Sequence, residues 1–160
     1  MLGARVVVVD IVEEKLEHAR QHGADATVNA AKGDVATAIH DITGGGAQVS
    51  IEALGIEATT NASVECLAIL GRHVQVGMPS GSGQMQVNMR AIYTKQLSFF
   101  GTRGMPSWKY PNLLGMIERG DVDIRPMVAR EISLSGATSE LRAMSGPTSP
   151  GTAVITDFQR

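Results

Sequence analysis

The sequence predicts an α/β fold with a doubly wound, mostly parallel sheet that is truncated at its N-terminus. Short apolar runs alternate with helical patterns along the 160 residues, which is typical of parallel strands joined by helical crossovers. The first run, residues 3–10, has the pattern of a buried strand and ends in Asp10. In a dinucleotide-binding sheet, an acid at this place ends the second strand. We therefore expect the first strand, the Gly-rich turn and the first helix of such a sheet to be missing before this run.

The first part of the chain alternates helices and strands at short intervals. Strong helix formers fill residues 13–22, and Gly23 follows as a candidate C-cap. Residues 26–29 are a short strand. Apolar side chains at helical spacing predict an amphipathic helix over residues 33–42, which a run of three glycines ends. Residues 48–52 are the next strand.

The middle of the chain continues this alternation. A helix is predicted from about residue 59 to residue 70, with Gly71 at its end, and residues 72–77 follow as a strand. Residues 97–101 are a further strand. Residues 110–119 are predicted as a helix that meets a proline in its first turn, where proline is tolerated.

The last part of the chain is less regular. Residues 124–128 and 151–157 are predicted as separate extended segments, with a polar helix over about residues 138–144 between them. Residues 145–151 are rich in Pro, Gly and Ser, and they are the best candidate for a mobile loop.

Composition and charge exclude several classes of protein. Hydrophobic residues make up 43% and charged residues 19% of the chain, which is typical of a folded domain. The formal net charge is −2 and there is no basic cluster, so we expect no binding to nucleic acid or to an anionic membrane. No apolar run approaches the length of a membrane span, and the start of the chain lacks the pattern of a signal peptide. The sequence therefore predicts a cytoplasmic protein.

Three sets of side chains are candidates for catalysis or metal binding, but a structural role is favoured for each. Cys66 is the only cysteine, and a small buried residue is favoured over a nucleophile there. His18 and His22 have the i, i+4 spacing of metal ligands but lack a nearby third ligand, so a solvated helix face is favoured over a metal site. Glu52 ends an apolar strand beside the predicted crevice, where proton transfer could be imagined, but no partner in the sequence supports that role.

Short motifs follow one another in order along nearly the whole chain. They are Gly3-Ala4, Asp10, Lys15-Leu16, Gly23-Ala24-Asp25, Asn29, Thr43-Gly44-Gly45-Gly46-Ala47, Glu52-Ala53-Leu54-Gly55, Leu70-Gly71-Arg72, Val76-Gly77 and Phe100-Gly101-Thr102. Each motif is common alone, but their order and spacing together are fairly specific. In this order the chain resembles the coenzyme domain of the medium-chain, zinc-type alcohol dehydrogenases, an oxidoreductase family whose coenzyme domain is Rossmann-like.

The resemblance implies a set of cofactor-binding residues. Asp10 would accept hydrogen bonds from the adenosine ribose hydroxyls and repel a 2′-phosphate, so NAD is favoured over NADP. Lys15 matches a basic residue beside that ribose, and a solvated helix lysine is the alternative. The other expected positions lie where the family's backbone passes the cofactor: Ala53, Leu54, Gly55, Gly77, Met78, Pro79, Phe100, Gly101 and Thr102. Simple turns at the end of the sheet are the alternative for these segments.

The departures from the family concern the metal and the pyrophosphate. In the family, the ligands of the catalytic zinc lie mostly on a separate domain, and nothing in this chain matches them, so we expect no metal ligand and no catalytic residue here. The Gly-rich turn that binds the pyrophosphate is also absent. Residues 1–123 are interpreted as a truncated dinucleotide-binding domain, and residues 124–160 resemble the family's return into the catalytic domain.

A missing first strand would leave open edges in the centre of the sheet, because the usual strand order is 3-2-1-4-5-6. Three compensations are open. The strands that end at Asp10 and Glu52 pair with each other, another copy of the chain associates, or a segment near the C-terminus inserts. We also expect the protein to be a homo-oligomer.

Three functional interpretations remain. The first is a fragment of an NAD-dependent alcohol or polyol dehydrogenase, which transfers hydride between nicotinamide and the carbon of a small-molecule alcohol or aldehyde. In that case we expect the isolated chain to be inactive. The second is a non-catalytic nucleotide-binding or oligomerisation module. The third is a domain similar to the adenosylmethionine-dependent methyltransferases, which also place an acid at the end of their second strand.

Overall fold

The computed structural model describes residues 3–79, 81–144 and 151–158. Within these ranges the chain forms seven strands and six α-helices. In chain order they are β1 (Val7–Asp10), α1 (Glu13–Gln21), β2 (Ala26–Asn29), α2 (Val35–Thr43), β3 (Ala47–Glu52), α3 (Glu57–Glu65), β4 (Leu67–Gln75), α4 (Met89–Thr94), β5 (Ser98–Gly101), α5 (Tyr110–Glu118), β6 (Val128–Ser133), α6 (Ala137–Ala143) and β7 (Thr152–Asp157). The loop predicted at residues 145–151 lies outside the described residues except for Gly151.

The strands form parallel sheets, as the alternating sequence pattern predicts. β1 pairs with β2, β4 lies between β3 and β5, and β6 pairs with β7. Each of these pairs is parallel. In each of the three sheets a helix lies between one strand and the next, so the carboxyl ends of the strands point the same way within a sheet. The predicted α/β class with a mostly parallel sheet is therefore confirmed.

The β1–β2 sheet and the β3–β4–β5 sheet are not hydrogen-bonded to each other within the described residues. The expectation that the strands ending at Asp10 and Glu52 pair with each other is therefore wrong. Insertion of a C-terminal strand is also wrong, because β6 and β7 pair with each other instead. α2 lies against both sheets: its Ile39 shares one core cluster with Val28 of β2 and with Cys66, and Ala47 of β3 packs against this cluster. This helix joins both sheets through side chains while their backbones stay unpaired, and association with another copy stays a prediction.

The boundary between α3 and β4 differs from the predicted one. α3 ends at Glu65 and β4 begins at Leu67, so the helix predicted to reach residue 70 is too long. The amide of Ala47 on β3 donates to the carbonyl of Cys66 at 3.0 Å, and Leu67 pairs with Ala47. This strand pairing draws the residues after Cys66 away from the helix.

Lys95 stabilises this helix end from a distant part of the chain. Its ammonium donates to the carbonyls of Glu65 at 2.7 Å and Leu67 at 2.8 Å, and the last carbonyls of a helix otherwise lack partners. The carbonyl of Lys95 accepts from the amide of Leu70 at 2.8 Å, a residue with a φ of 61°. Residues 68–71 therefore bulge out of β4, and Gly71 is not the helix C-cap that the sequence predicts.

The other helices of the first half lie close to their predicted positions, and one helix was not predicted. α1 and α2 match the helical patterns, and the side chain of Asp34 begins α2 by accepting from the amide of Thr37 at 2.7 Å. The unpredicted helix is α4. It begins after Asn88, whose side chain accepts from the amide of Ala91 at 3.1 Å and so satisfies a free donor of the first turn.

The segment predicted as extended at residues 124–128 is wrong in part. A 3-10 turn occupies Arg125–Met127, and β6 begins only at Val128. The carboxylate of Asp123 accepts from the amide of Arg125 at 3.0 Å and from its guanidinium at 2.8 Å, which stabilises the turn. Among the described helices, no segment is both long and apolar enough to span a bilayer.

Candidate functional site

Most of the predicted cofactor residues lie where parallel strands end. β3, β4 and β5 belong to one sheet and end at Glu52, Gln75 and Gly101. Open α/β sheets bind ligands at the carboxyl ends of their strands. The structure brings three predicted segments together at this end of the sheet: residues 53–55 after β3, residues 77–79 after β4 and residues 100–102 at the end of β5.

Backbone hydrogen bonds fix these strand ends relative to one another. The amide of Thr102 donates to the carbonyl of Gln75 at 3.0 Å. The carbonyl of Glu52 accepts from two amides of the next turn, Val76 at 2.8 Å and Gly77 at 2.9 Å. These bonds hold the carboxyl ends of β3, β4 and β5 next to one another.

Asp10 ends β1 in the other sheet, and Lys15 lies in the first turn of α1. Asp10 is half-buried, and its Oδ1 accepts from the amide of Val12 at 2.9 Å. Its carboxylate thus lies at the N-terminus of α1, where the helix dipole stabilises an anion. No described residue donates a hydrogen bond to its Oδ2, which leaves that oxygen for hydroxyl donors. Lys15 is half-buried and forms no ion pair with the residues that the structure describes.

Two glycines pack backbone against backbone at the ends of β3 and β4. Gly55 has a φ of 85°, and a Cβ placed on it would lie 2.0 Å from the carbonyl oxygen of Met78. A Cβ on Gly77 would lie 2.3 Å from the amide nitrogen of Gly55 and 2.6 Å from Oε2 of Glu52. Only glycine fits at either position. The side chains of Leu54 and Met78 beside this contact are exposed.

The carboxylate of Glu52 is the centre of this contact. The side chain is 3% exposed and accepts from the amide of Leu54 at 2.9 Å and from the amide of Gly55 at 2.9 Å. It also accepts from the hydroxyl of Thr59 at 2.7 Å and from the amide group of Gln75. The carboxylate thus satisfies the free backbone donors of the turn that follows β3.

These hydrogen bonds control the protonation of Glu52. Burial raises the pKa of this carboxyl, but the hydroxyl of Thr59 and the amides of Gly55 and Leu54 outweigh burial and hold the pKa of Glu52 below its ordinary value. A carboxylate with this set of donors holds the turn in place. The geometry favours that structural role over the proton transfer imagined from the sequence.

The polar network continues into the sheet through Gln75 and His73. Since the Gln75 amide group donates to Glu52 and to the carbonyl of Gly77 at 2.9 Å, its Oε1 is left to accept. It accepts from Nε2 of His73 at 3.0 Å and from the hydroxyl of Thr60 at 3.3 Å. This arrangement assigns the proton of the His73 ring to Nε2.

The other side of the His73 ring faces two serines and an aromatic ring. Nδ1 of His73 lies 3.2 Å from the hydroxyl of Ser50 and 3.2 Å from that of Ser63, and its single lone pair is shared between these two hydroxyl donors. The ring of Phe99 stacks against the imidazole at a centroid distance of 4.4 Å. His73 is fully buried, so this network stabilises the sheet beneath the strand ends and is not open to a substrate.

Sequence reasoning missed this network, although a signal was present. Ser50 and Glu52 alternate along β3, and His73 and Gln75 alternate along β4, so each pair lies on one face of its strand. Two adjacent parallel strands with polar residues on the same face indicate a buried polar ladder once a helix covers that face. Here α3 covers it.

The other candidate groups for chemistry have structural surroundings. Cys66 is buried, burial raises the pKa of its thiol, and its Sγ donates to the carbonyl of Ser63 at 3.2 Å, so the predicted buried role is favoured over a nucleophile. His18 and His22 stack on each other at 4.1 Å. Across residues 3–79, 81–144 and 151–158, no three His, Cys, Asp or Glu side chains are close enough to hold a metal ion.

Comparison with known proteins relates this chain to dehydrogenases. The family model described as zinc-binding dehydrogenase matches residues 1–119. D-xylulose reductase from Saccharomyces cerevisiae is 32% identical over 149 residues, which cover 89% of this chain and 41% of the reductase. An NAD-dependent alcohol dehydrogenase from Sulfurisphaera tokodaii is 29% identical over 140 residues, which cover 87% of this chain and 39% of that enzyme. The chain therefore spans about two fifths of the length of the curated relatives it matches.

A solved structure gives the same result for the fold. Benzyl alcohol dehydrogenase from Acinetobacter calcoaceticus superposes with a TM-score of 0.82 at 25% identity, over 96% of this chain and 43% of that protein. The family match covers most of the chain, and the matched region contains β1 to β5 with the turns at their carboxyl ends. This chain belongs to the zinc-binding dehydrogenase family.

Proposed function

We propose that this chain binds NAD across the carboxyl ends of β1, β3, β4 and β5, as the coenzyme-binding part of a dehydrogenase for a small alcohol or polyol. The observation that carries the proposal is the position of Asp10 and of the turns at residues 53–55, 77–79 and 100–102 at the strand ends, in a chain of this family. The similarity to D-xylulose reductase and to an NAD-dependent alcohol dehydrogenase supports the substrate class and the cofactor.

The adenosine end of the cofactor would lie at Asp10. The Oδ1 of this residue is held by the amide of Val12, so the carboxylate has a fixed direction, and its other oxygen can accept from the ribose hydroxyls. A phosphate on the 2′ oxygen would bring a second anion to the same place. Charge repulsion therefore favours NAD over NADP. Lys15 lies in the first turn of α1, where its ammonium can bind the same ribose.

The nicotinamide end would lie over the three-stranded sheet. When bound, this ring supplies the hydride acceptor or donor of the reaction. The chain's own part is to bind and orient it through the backbone of residues 77–79 and 100–102. The structure offers room there, since a Cβ on Gly101 would meet no atom within 4 Å. Residues 53–55 would line the middle of the cofactor.

The reaction would need more than this chain supplies. A zinc ion acts in such enzymes as a Lewis acid on the alcohol oxygen, and we assign it no ligand among the described residues. We also assign no catalytic residue. The isolated chain is accordingly proposed to bind cofactor without turnover of an alcohol or aldehyde.

Two other interpretations lead to different ligands. A nucleotide-binding module would bind AMP, and an oligomerisation module would form a complex. Neither would catalyse a reaction, even as part of a longer protein. A domain similar to the methyltransferases would prefer adenosylmethionine. The family match favours the dehydrogenase over both, because β1 to β5 all lie within the matched region.

The experiment is a titration of the full 160-residue chain with NADH. Trp108, the only tryptophan, is excited, and energy transfer to the bound cofactor is followed. NADPH is titrated in the same way, and adenosylmethionine, which does not absorb tryptophan emission, is tested by its displacement of bound NADH. Saturable binding of NADH that weakens in Asp10→Ala but not in the control Asp41→Ala supports the proposal. A preference for adenosylmethionine, or NADH affinity equal in both variants, contradicts it.

A further inference from the structure

A charged cluster beside Asp10 is centred on Glu13, the first residue of α1. The carboxylate of Glu13 accepts from Nδ2 of Asn29 at 2.9 Å and from the ammonium of Lys32 at 2.8 Å. It also pairs with Arg20 at 3.4 Å. Glu13 therefore ties the start of α1 to the turn that follows β2.

The turn after β2 is itself well ordered by hydrogen bonds. Oδ1 of Asn29 accepts from the amide of Ala31 at 3.0 Å, and the carbonyl of Asn29 accepts from the amide of Lys32 at 3.0 Å. These bonds fix the direction in which Lys32 leaves the backbone. The ammonium of Lys32 then reaches Glu13, although the Lys32 side chain is 71% exposed.

This cluster is adjacent to the proposed adenosine site. Asn29 is the register partner of Asp10 in the β1–β2 pair, and the amide of Ala30 donates to the carbonyl of Asp10 at 3.0 Å. Val12, whose amide holds the Asp10 carboxylate, directly precedes Glu13. The two carboxylates therefore share one helix start, and Lys32 is the cation of the neighbouring turn.

The pairing with Glu13 decides which charges remain for a ligand. The ammonium of Lys32, together with Asn29 and Arg20, lowers the pKa of Glu13 to about 2, so Glu13 is ionised at neutral pH. The charge of Lys32 is then matched within the protein. Arg20 also forms an ion pair with Glu17, with 2.9 Å between Nη1 and Oε2. The negative charge of Asp10 is thus not offset by either cation.

We propose that Glu13 is a second residue that determines cofactor specificity, because it holds Lys32 away from a phosphate on the adenosine 2′ oxygen. The inference rests on the proposed binding of the ribose at Asp10. In this inference two carboxylates exclude a 2′-phosphate, and each has a different role. Asp10 repels the phosphate directly, and Glu13 pairs with Lys32, one of the cations near this place that could bind the phosphate.

The test compares two small ligands that differ only in the 2′-phosphate, AMP and adenosine 2′,5′-bisphosphate. Their dissociation constants are measured by isothermal titration with the full chain and with Glu13→Gln. Glutamine keeps an acceptor for the Asn29 amide but loses the charge that holds Lys32. Glu14→Gln is the matched control, since Glu14 is exposed on the same turn and makes no hydrogen bond to the described residues.

The unaltered chain is expected to bind AMP more tightly than the bisphosphate. Glu13→Gln should shift the ratio of the two constants toward the bisphosphate by roughly tenfold, as expected for one released cation near a divalent anion, and leave the AMP constant unchanged. Glu14→Gln should leave the ratio where it was. Adding Lys32→Met to Glu13→Gln should remove most of the gain, because the released ammonium is then absent.

The possible failures are distinguishable. If AMP binds and weakens in Asp10→Ala, but Glu13→Gln leaves the ratio unchanged, the inference about Glu13 is overturned and the proposed function stands. The inference is likewise overturned if Glu13→Gln shifts the ratio equally with and without Lys32→Met. If no variant binds AMP or the bisphosphate, the proposed adenosine site fails and the inference fails with it.

Discussion

Gly55 and Gly77 are in direct backbone contact, and a Cβ on Gly77 would lie 2.3 Å from the amide nitrogen of Gly55. This contact joins the turns after β3 and β4, which the proposed cofactor would cross. The contact leaves no room for a side chain of any size, because its atoms are backbone and cannot move aside independently.

Replacement of Gly77 by alanine is therefore expected to lower the free energy of unfolding by about 1–3 kcal/mol, the usual range for overpacking. The measurement is urea unfolding followed by circular dichroism. Gly33→Ala is the control, since a Cβ on Gly33 would meet no atom within 4 Å, and its effect should stay within about 0.5 kcal/mol. Equal stability of Gly77→Ala and Gly33→Ala would contradict the close contact.

Replacement of Glu52 by glutamine should destabilise the fold and change its dependence on pH. The variant loses a charged acceptor for buried donors, which costs about 1–3 kcal/mol. Because folding lowers the pKa of Glu52 from 4.5, the carboxylate's contribution is complete above that value and is lost as pH falls through the lower folded pKa. Urea midpoints measured from pH 7 down to pH 3 should therefore fall less steeply for Glu52→Gln than for the unaltered chain. Glu14→Gln, an exposed control, should retain the full slope.

Replacement of Lys95 by methionine should loosen the end of α3. The ammonium binds the carbonyls of Glu65 and Leu67. Its loss removes a hydrogen-bond donor from both carbonyls and should lower the free energy of unfolding by about 1–2 kcal/mol. Hydrogen exchange of the Cys66 amide, which donates to Ala62 at 3.0 Å, should become faster. The exposed Lys109 provides the control variant Lys109→Met. Unchanged exchange at Cys66 in the Lys95 variant would show that the lysine does not hold this helix end.

The open strands β1 and β3 should cause the chain to associate with itself. Val49 and Ile51 lie on one face of β3 with 50% and 68% of their surface exposed, and β3 has no strand partner on the side away from β4 among the described residues. Unpaired edges with apolar side chains favour association. Analytical ultracentrifugation should give a mass above the 16.9 kDa of one chain, and Ile51→Lys should lower it. A single monomeric species of the unaltered chain would contradict this prediction.

The parts of the fold that depend on local pattern could be predicted from the sequence. β2 was predicted at residues 26–29, and these are its bounds. Asp10 ends β1 as predicted. The boundary between α3 and β4 could not be predicted, because residues 67–70 are an apolar run compatible with a helix. Their conformation is decided by pairing with Ala47 and by the distant Lys95.

The candidate site shows the same division. The strand ends that carry residues 53–55, 77–79 and 100–102 follow from the alternation of strands and helices. The need for glycine at Gly55 and Gly77 could not be predicted in this way, because it depends on a contact between two turns. The sequence shows that Glu52 is an acid at the end of a strand. Its donors come from the turn after β3, from α3 and from β4, so their convergence on the carboxylate is visible only in three dimensions.

The most direct test of the account is a map of NADH binding by two-dimensional NMR of the ¹⁵N-labelled chain. The account predicts saturable amide shifts at Val12, at residues 53–55, at Gly77 and at Thr102, with those at Val12 reduced in Asp10→Ala. These amides lie at the carboxyl ends of β1, β3, β4 and β5. Saturable shifts at the opposite, amino ends of the strands, or no saturable shift at any amide, would contradict the proposal that this chain binds NAD across the carboxyl ends of its strands.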